Sequence, residues 1–247
     1  SVAAVTARAA RAERRASVRT TSWRAAVSKD RRLYGRLREE ARPVSTPRRR
    51  LVQSSLALAG WLALAAPALA RDDVSPAAPV ERLHTALLDA AAEGDTVRAR
   101  YERLLPVVSE VFDFSTMSRV AVGSAWGEFG DDEQRALERR FAAYAAANYA
   151  HNFDDVSGLA FRTVEVGEEE GPRVHVLTEL ARPVKDPVEF DYLVQRTGDG
   201  PRIVNVVVDG TMNELARRRA EFRALLEAGG LSKLLATLEA QTEARLG

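Results

Sequence analysis

Histidine, carboxylate and phenol side chains can pass protons, so their positions are the first indication of chemistry. His175, Asp191 and Tyr192 fall on neighbouring predicted strands. Successive residues of a strand point to opposite faces, so Asp191 and Tyr192 cannot enter the same pocket. We therefore expect His175 and Asp191 to decorate the wetter face of a sheet, with Tyr192 packed inward.

Signatures of catalysis and metal binding are missing from the sequence. The histidines His84, His151 and His175 lie in separate predicted elements, without the spacing of metal ligands. There is no cysteine, which excludes disulfides, thiolate metal sites and cysteine nucleophiles. There is no glycine-rich phosphate loop, no metalloprotease motif and no nucleophile elbow. We expect no catalytic residue, no metal and no cofactor, and hence a protein that is not an enzyme.

The run Arg217 to Arg219 has the charge needed to bind phosphate headgroups. Such a run more often forms the solvated back of an amphipathic helix, and Glu214 and Glu221 lie within ion-pairing distance in sequence. We favour the solvated interpretation.

Charge is distributed very unevenly. Residues 1–50 carry 15 basic and 4 acidic side chains, residues 51–70 carry none, and residues 71–247 carry 21 basic and 31 acidic ones. Phosphate backbones are bound by clustered Lys and Arg, so the acidic 71–247 region argues against nucleic acid as a partner.

The uncharged run follows three arginines and ends in Ala68-Leu69-Ala70. This pattern predicts a signal peptide at 44–70, cleaved after Ala70 and followed by a flexible mature N-terminus at 71–79. A membrane anchor is the alternative, but Gln53 and Pro67 make the run a poor one. Residues 1–43 form either a disordered basic arm or an upstream extension created by a misplaced translation start, and we favour the extension.

Residues 80–247 are predicted to fold as one α+β domain. Apolar stripes of helical period begin at Val80 and Tyr101, and Pro106 is expected to interrupt the second. Asp113 is expected to cap a helix that ends at Gly123. Capping-box patterns at Asp131/Gln134 and Thr211/Glu214 open two longer helices, and the second of these breaks at Gly229-Gly230.

The period changes from 3.6 to 2 after Gly158, which predicts a four-stranded antiparallel sheet. The predicted strands are 161–166, 173–180, 188–195 and 202–208. In the third strand one face is apolar and carries Val188, Phe190, Tyr192 and Val194.

Several short segments occur in an order typical of one family. They are VFDFSTMSRVAVGSAW at 111–126, YAHNF at 149–153, RIVNVVVDGT at 202–211 and RRAEF at 218–222. Together they resemble the MlaC-type (toluene-tolerance) periplasmic phospholipid-binding family, and the last two are most similar to its branch associated with hopanoid biosynthesis.

The resemblance implies an NTF2-like-related domain with helices packed on one face of the sheet and an apolar cavity between them. It implies a monomeric periplasmic carrier of phospholipid, or of a hopanoid-like lipid. Such a carrier shuttles between an outer-membrane lipoprotein complex and an inner-membrane ABC transporter complex. The side chains expected to contact lipid are Phe141, Tyr144, Tyr149, Phe153, Phe161, Val176, Phe190, Tyr192, Val194, Val206 and Phe222.

Composition does not decide whether these side chains line a cavity or fill a solid core. If Val194 and Phe141 face a cavity, a carboxylate at either position is expected to spare the fold and abolish lipid binding. Two other functions stay open. One is a periplasmic enzyme on an NTF2-like fold that acts on a hopanoid or terpenoid lipid, and the other is an envelope adaptor without a ligand.

Overall fold

The structure is a computed structural model that describes residues 74–92, 96–168 and 171–247. The predicted signal peptide at 44–70, its cleavage after Ala70 and both interpretations of 1–43 lie outside these residues. Within the described part of the chain, no helix has the length and apolar character needed to cross a membrane.

The described residues form helices before and after one sheet. The helices are α1 (Ala78–Ala92), α2 (Val97–Val111), α3 (Phe114–Val122), a 3-10 helix (Gly123–Glu128), α4 (Asp131–Asn152) and α5 (Glu214–Leu246). Helix α4 packs against both α2 and α5. The sequence placed the start of the domain at residue 80, and α1 begins two residues earlier, with Ala77 already buried.

The sheet is antiparallel and its strands follow chain order. The strands are β1 (Ala160–Glu168), β2 (Arg173–Ala181), β3 (Val188–Thr197), β4 (Gly200–Val208) and β5 (Met212–Asn213). The predicted four strands are all present. The fifth is an addition, a two-residue strand that pairs with Val207 and Val208.

Register places apolar side chains side by side on the inner face of the sheet. Val176 pairs with Tyr192, which pairs with Val206, as the period-2 pattern predicted. The start of α3 is tied to this sheet, because the backbone N–H of Asp113 donates to the carbonyl of Ile203 at 2.9 Å. The helical layer is thus fixed to the central strands.

Of the three helix caps predicted from the sequence, one is confirmed and two are wrong. Asp113 caps α3 by accepting from the backbone N–H of Thr116 at 2.8 Å. Helix α4 starts after Gly130, whose N–H donates to Glu133, so the expected Asp131/Gln134 box is wrong. The cap of α5 is Asn213 rather than Thr211, because residues 212–213 are held in β5.

Pro106 lies inside α2, so the expected interruption is wrong. Proline removes one intrahelical hydrogen bond, but Pro106 is exposed and water can satisfy the freed carbonyl. The buried residues Leu104 and Val108 hold the helix on both sides. The predicted break in α5 is confirmed, since Gly229 and Gly230 have non-helical backbone angles and Gly230 has φ +66°.

Candidate functional site

An apolar cavity of about 290 Å³ lies between the helical layer and the sheet. Helices α3, α4 and α5 and strands β3, β4 and β5 contribute to its wall, together with Phe112, which follows α2, and Phe153, which follows α4. The lining side chains are Phe112, Phe114, Met117, Phe141, Tyr144, Ala145, Asn148, Tyr149, Asn152, Phe153, Phe190, Val206, Val208, Met212, Glu214, Leu215 and Arg218.

The lining residues differ in burial, which gives the cavity a deep end and a mouth. Among the buried ones are Phe112, Phe114, Met117, Phe141, Tyr144, Val206, Leu215 and Arg218. At the other end Asn152 and Met212 are exposed, while Asn148 and Glu214 are half-buried. The cavity is therefore closed by aromatic and aliphatic side chains and opens between the end of α4 and the start of α5.

Helix α4 runs along the cavity from the deep end to the mouth. Phe141, Ala145, Asn148 and Asn152 lie three or four residues apart, so they share one face of the helix. This face changes from apolar to amide side chains as it approaches solvent. The change produces a polarity gradient along the cavity.

Aromatic rings in edge or tilted contact form the deep wall. The ring centroid of Phe141 lies 5.3 Å from that of Phe114 and 5.1 Å from that of Phe222. Phe112 lies 6.2 Å from Tyr149. Separations of about 4.5–7 Å are those at which aromatic pairs stabilise each other. The deep end of the cavity is therefore lined by aromatic rings that pack against one another.

A polar cluster includes two of the buried lining residues, Tyr144 of α4 and Arg218 of α5. The hydroxyl of Tyr144 accepts hydrogen bonds from Arg218 at 2.7 Å and from Arg245 at 3.0 Å. Arg218 also pairs with Glu221 at 2.5 Å, and Glu221 accepts a bond from Gln241 at 2.8 Å. Arg218 is only 3% exposed, yet its charge is balanced by Glu221.

Tyr149 is another lining residue that carries a hydroxyl. Burial raises the pKa of this phenol, and the nearby carboxylate of Glu214 raises that pKa further. The hydroxyl therefore stays protonated at every physiological pH and can donate a hydrogen bond.

Helix α1 covers the neighbouring part of the inner sheet face with side-chain packing instead of a cavity. The ring of His84 stacks on Phe161 at 3.7 Å, and its Nε2 lies 3.0 Å from the hydroxyl of Tyr192. Burial lowers the pKa of His84 to about 4, so the imidazole is neutral near pH 7.

The structure brings six of the predicted lipid contacts into the cavity wall and leaves five outside it. Phe141, Tyr144, Tyr149, Phe153, Phe190 and Val206 line the cavity. The other five do not line it, although Phe161 stacks on His84 of α1 and Phe222 packs against Phe141; they are Phe161, Val176, Tyr192, Val194 and Phe222. Contact with lipid stays a prediction for all eleven residues.

Several lining residues were missed, although the sequence carried signals for some of them. Phe112 and Phe114 flank the correctly predicted cap Asp113. Arg218 lies on the same helical stripe as Leu215 and Phe222, so the solvated interpretation of the arginine run is wrong for Arg218. Its neighbour Arg217 is exposed and pairs with Glu214 at 2.6 Å.

The three side chains considered for proton transfer are separated by the sheet. His175 Nδ1 and Asp191 lie 2.7 Å apart, whereas Tyr192 points to the inner face with Phe190. The separation of Asp191 from Tyr192 is as expected. The expectation that His175 and Asp191 decorate a wet face is wrong, because both are buried and are joined by a hydrogen bond between Nδ1 and Oδ1. Neither lines the cavity.

Metal-binding geometry is likewise missing from residues 74–92, 96–168 and 171–247. No group of three or more His, Asp or Glu side chains there could hold a metal ion. The residues that converge on the cavity are suited to burying apolar matter and to hydrogen bonding at its mouth.

A helical layer on an antiparallel sheet, with an apolar cavity that opens at a polar mouth, defines a ligand-binding α+β domain. The chain belongs to the MlaC protein family, whose model matches residues 79–240. A search of curated proteins found no match.

Seven chains of solved structures match this fold. One is the phospholipid-binding protein from Ralstonia solanacearum, solved in complex with a phospholipid. The likeness has a TM-score of 0.60 at 16% identity and covers 70% of this chain and 99% of that chain. At this level of identity the likeness establishes the fold.

Proposed function

We propose that this protein is a phospholipid carrier that holds an acyl chain of the lipid in the apolar cavity and leaves the lipid headgroup at the mouth. The observation that carries the proposal is the cavity itself, closed by aromatic rings and open at Asn148, Asn152 and Glu214. Membership of the MlaC family and the phospholipid complex of the Ralstonia solanacearum protein support it.

The energetic basis is the transfer of methylene groups out of water. Each buried CH₂ contributes about 0.8 kcal/mol, so a carrier gains most by enclosing as much chain as it can. The deep wall offers only carbon surface apart from the satisfied polar groups of Tyr144 and Arg218. An acyl chain therefore meets no unsatisfied polar group as it enters.

The size of the cavity adds a condition. Pockets that enclose drug-sized molecules measure about 300–1,000 Å³, and this one measures about 290 Å³. A phospholipid with two long chains is larger than that volume. We infer that the wall moves outward on loading, and the break at Gly229-Gly230 gives α5 a point at which to bend.

We further propose that the carrier works in the periplasm as a monomer. In this proposal it is exported by the signal peptide at 44–70 and exchanges lipid with an inner-membrane ABC transporter complex and an outer-membrane lipoprotein complex. These proposals extend the family assignment, and the hopanoid-like lipid is kept as a second cargo that the experiment below distinguishes.

An enzyme acting on a hopanoid or terpenoid is the weaker hypothesis. Acid–base chemistry needs a donor and an acceptor that converge on the substrate. The pair His175 and Asp191 belongs to the sheet face away from the cavity. Arg218 forms an ion pair with Glu221, and Glu214 forms one with Arg217.

The test is mass spectrometry of the organic extract of purified full-length protein. We expect co-purified phospholipid in near-stoichiometric amount. Ala145 lines the cavity and is half-buried, so Ala145→Phe should fill the space and reduce bound lipid sharply. The matched control is Ala224→Phe, at an exposed position of α5 that does not line the cavity.

Each result has a separate meaning. Phospholipid that is lost in Ala145→Phe and kept in Ala224→Phe supports the carrier. A terpenoid in the extract would replace phospholipid as the cargo. A wild-type extract without any lipid, or lipid unaffected by filling the cavity, would contradict the proposal.

A further inference from the structure

Both methionines of the chain line the cavity, and they differ in their access to solvent. The sequence contains Met117, Met212 and no cysteine, so these two thioethers hold its only sulfur atoms. Met117 lies on α3 and is 7% exposed, whereas Met212 lies on β5 and is 52% exposed. A reagent that attacks sulfur from solvent therefore reaches Met212 before Met117.

Met212 is placed where the cavity meets solvent. Its strand pairs with the end of β4, and Met212 lies opposite Val208, another lining residue. The next residue, Asn213, caps α5, which carries the lining residues Glu214 and Leu215. Backbone pairing on one side and the helix start on the other thus fix its position. A chemical change at Met212 therefore alters the wall of the mouth.

The thioether of an exposed methionine is oxidised to a sulfoxide by peroxides. A lone pair on the sulfur of Met212 attacks one oxygen of hydrogen peroxide, and the O–O bond breaks. The second oxygen leaves as hydroxide and takes up the proton of the transferred oxygen, so that water and the sulfoxide are formed. The sulfur gives up two electrons to the peroxide, and no further reactant is needed.

The sulfoxide changes the surface that a lipid meets at the mouth. A thioether is apolar and polarisable and packs well against hydrocarbon. A sulfoxide carries a strong hydrogen-bond acceptor, which loses its water when an acyl chain covers it. The lining side chains of β4, Val206 and Val208, are apolar and offer no donor in return. Oxidation therefore disfavours the loaded state, whereas the empty state leaves the sulfoxide in water.

We propose that Met212 is a site of oxidative modification by peroxides, and that its conversion to the sulfoxide weakens the binding of lipid in the cavity. This inference rests on the proposed function and adds a chemical signal that promotes release of the cargo. Met117 is protected, because it belongs to the buried part of the cavity wall. The cargo covers Met212 in the loaded protein, so the empty protein is oxidised faster.

The first measurement follows the oxidation itself. Full-length protein, either stripped of lipid or loaded with dioleoyl phosphatidylcholine, is treated with hydrogen peroxide, which is then removed with catalase. Mass spectrometry of tryptic peptides should show the gain of one oxygen atom at Met212 before any gain at Met117, and a slower gain in the loaded protein. Equal rates at the two methionines would overturn the assignment of the site. Equal rates in the loaded and empty proteins would overturn the contact between Met212 and the cargo.

The second measurement is the dissociation constant for a phosphatidylcholine that carries a fluorescent acyl chain. We expect the oxidised wild-type protein to bind it about fourfold more weakly than the untreated protein, the factor that corresponds to one buried methylene group. Met212→Gln should weaken binding in the same direction without peroxide, because the glutamine amide is polar and similar in size to the sulfoxide.

The matched controls place one substitution at each sulfur position. In Met212→Leu the dissociation constant should be the same before and after peroxide, whatever its starting value, because no thioether is left at the mouth. In Met117→Leu peroxide should still weaken binding about fourfold, as in the wild-type protein.

A wild-type dissociation constant that peroxide leaves unchanged, or an equal loss of affinity in Met212→Leu, would overturn this inference and leave the carrier intact. An untreated wild-type protein that binds no phospholipid is a different result, because it would overturn the proposed function.

Discussion

The guanidinium of Arg218 lies 4.3 Å from the centre of the Tyr144 ring and donates a 2.7 Å hydrogen bond to its hydroxyl. Arg245 contacts the same ring at 4.6 Å and the same hydroxyl at 3.0 Å. The two arginines lie on opposite sides of the Gly229-Gly230 break. Tyr144 therefore holds both parts of α5 against α4.

Replacing Tyr144 by phenylalanine should destabilise the protein by about 1–3 kcal/mol, because two guanidinium groups lose a buried acceptor. The ring, and with it both cation–π contacts, is retained. Urea denaturation measures the free energy of unfolding. Tyr101→Phe is the control, since the structure gives the half-buried Tyr101 hydroxyl no hydrogen bond within the described residues. Equal effects of both substitutions would show that the two bonds contribute nothing.

The start of α5 offers a direct comparison between the cap expected from sequence and the cap observed. Asn213 accepts from the N–H of Ala216 at 2.8 Å, so Asn213→Ala should cost about 1 kcal/mol of unfolding free energy. Thr211→Ala should change it little, because Thr211 is exposed and precedes β5. If urea denaturation shows a larger loss of unfolding free energy for Thr211→Ala than for Asn213→Ala, Thr211 is the cap, as the sequence predicted.

Periodicity predicted most of the fold, because the alternation of β2 to β4 and the stripe of α4 are local properties of the sequence. It missed β5, whose two residues are too short to show a period. It also predicted Thr211 as the cap of α5, where the structure has Asn213. Both residue types are good caps, and only the pairing of residues 212–213 with β4 decides between them.

The cavity was harder to predict than the fold. Tyr192 and Val206 are paired neighbours on one sheet face, yet only Val206 lines the cavity. The difference arises because α1 places His84 over Phe161 and against Tyr192. Where a helix docks on a face is a tertiary property, so alternation alone cannot separate cavity from core.

His84 should make stability depend on pH. Burial lowers its pKa from 6.5 to about 4 in the folded protein, so between these values the unfolded chain binds more protons. Unfolding free energy should therefore fall as the pH falls, by about 2 kcal/mol from pH 7 to pH 5, and the loss should level off below pH 4. Urea denaturation across this range measures the slope.

The control for this titration is His84→Gln, which removes the ionisable ring. The variant should be less stable than the wild-type protein at pH 7, because the stack on Phe161 is lost. Its stability should nevertheless depend less on pH between 7 and 5. An identical pH slope in both proteins would assign the effect to other groups.

The final prediction compares one substitution at two positions of the same sheet. Val208 is half-buried at the cavity, whereas Val194 is fully buried and outside it. A carboxylate experiment designed from the sequence alone would use Val194. The structure indicates Val208 as the better position for the carboxylate, because a charge can be hydrated only where water can enter.

Val208→Glu should keep far-UV circular dichroism near that of the wild-type protein and lose co-purified lipid. The charge lies near the mouth, so it stays hydrated once the cavity is empty, and an acyl chain cannot pack against it without desolvating it. Val194→Glu should unfold the protein, because an unpaired charge at a fully buried site costs several kcal/mol, roughly half of the stability of a typical domain. If both variants unfold, Val208 belongs to a solid core. If both stay folded and retain lipid, neither position contacts the cargo and the cavity is not the binding site.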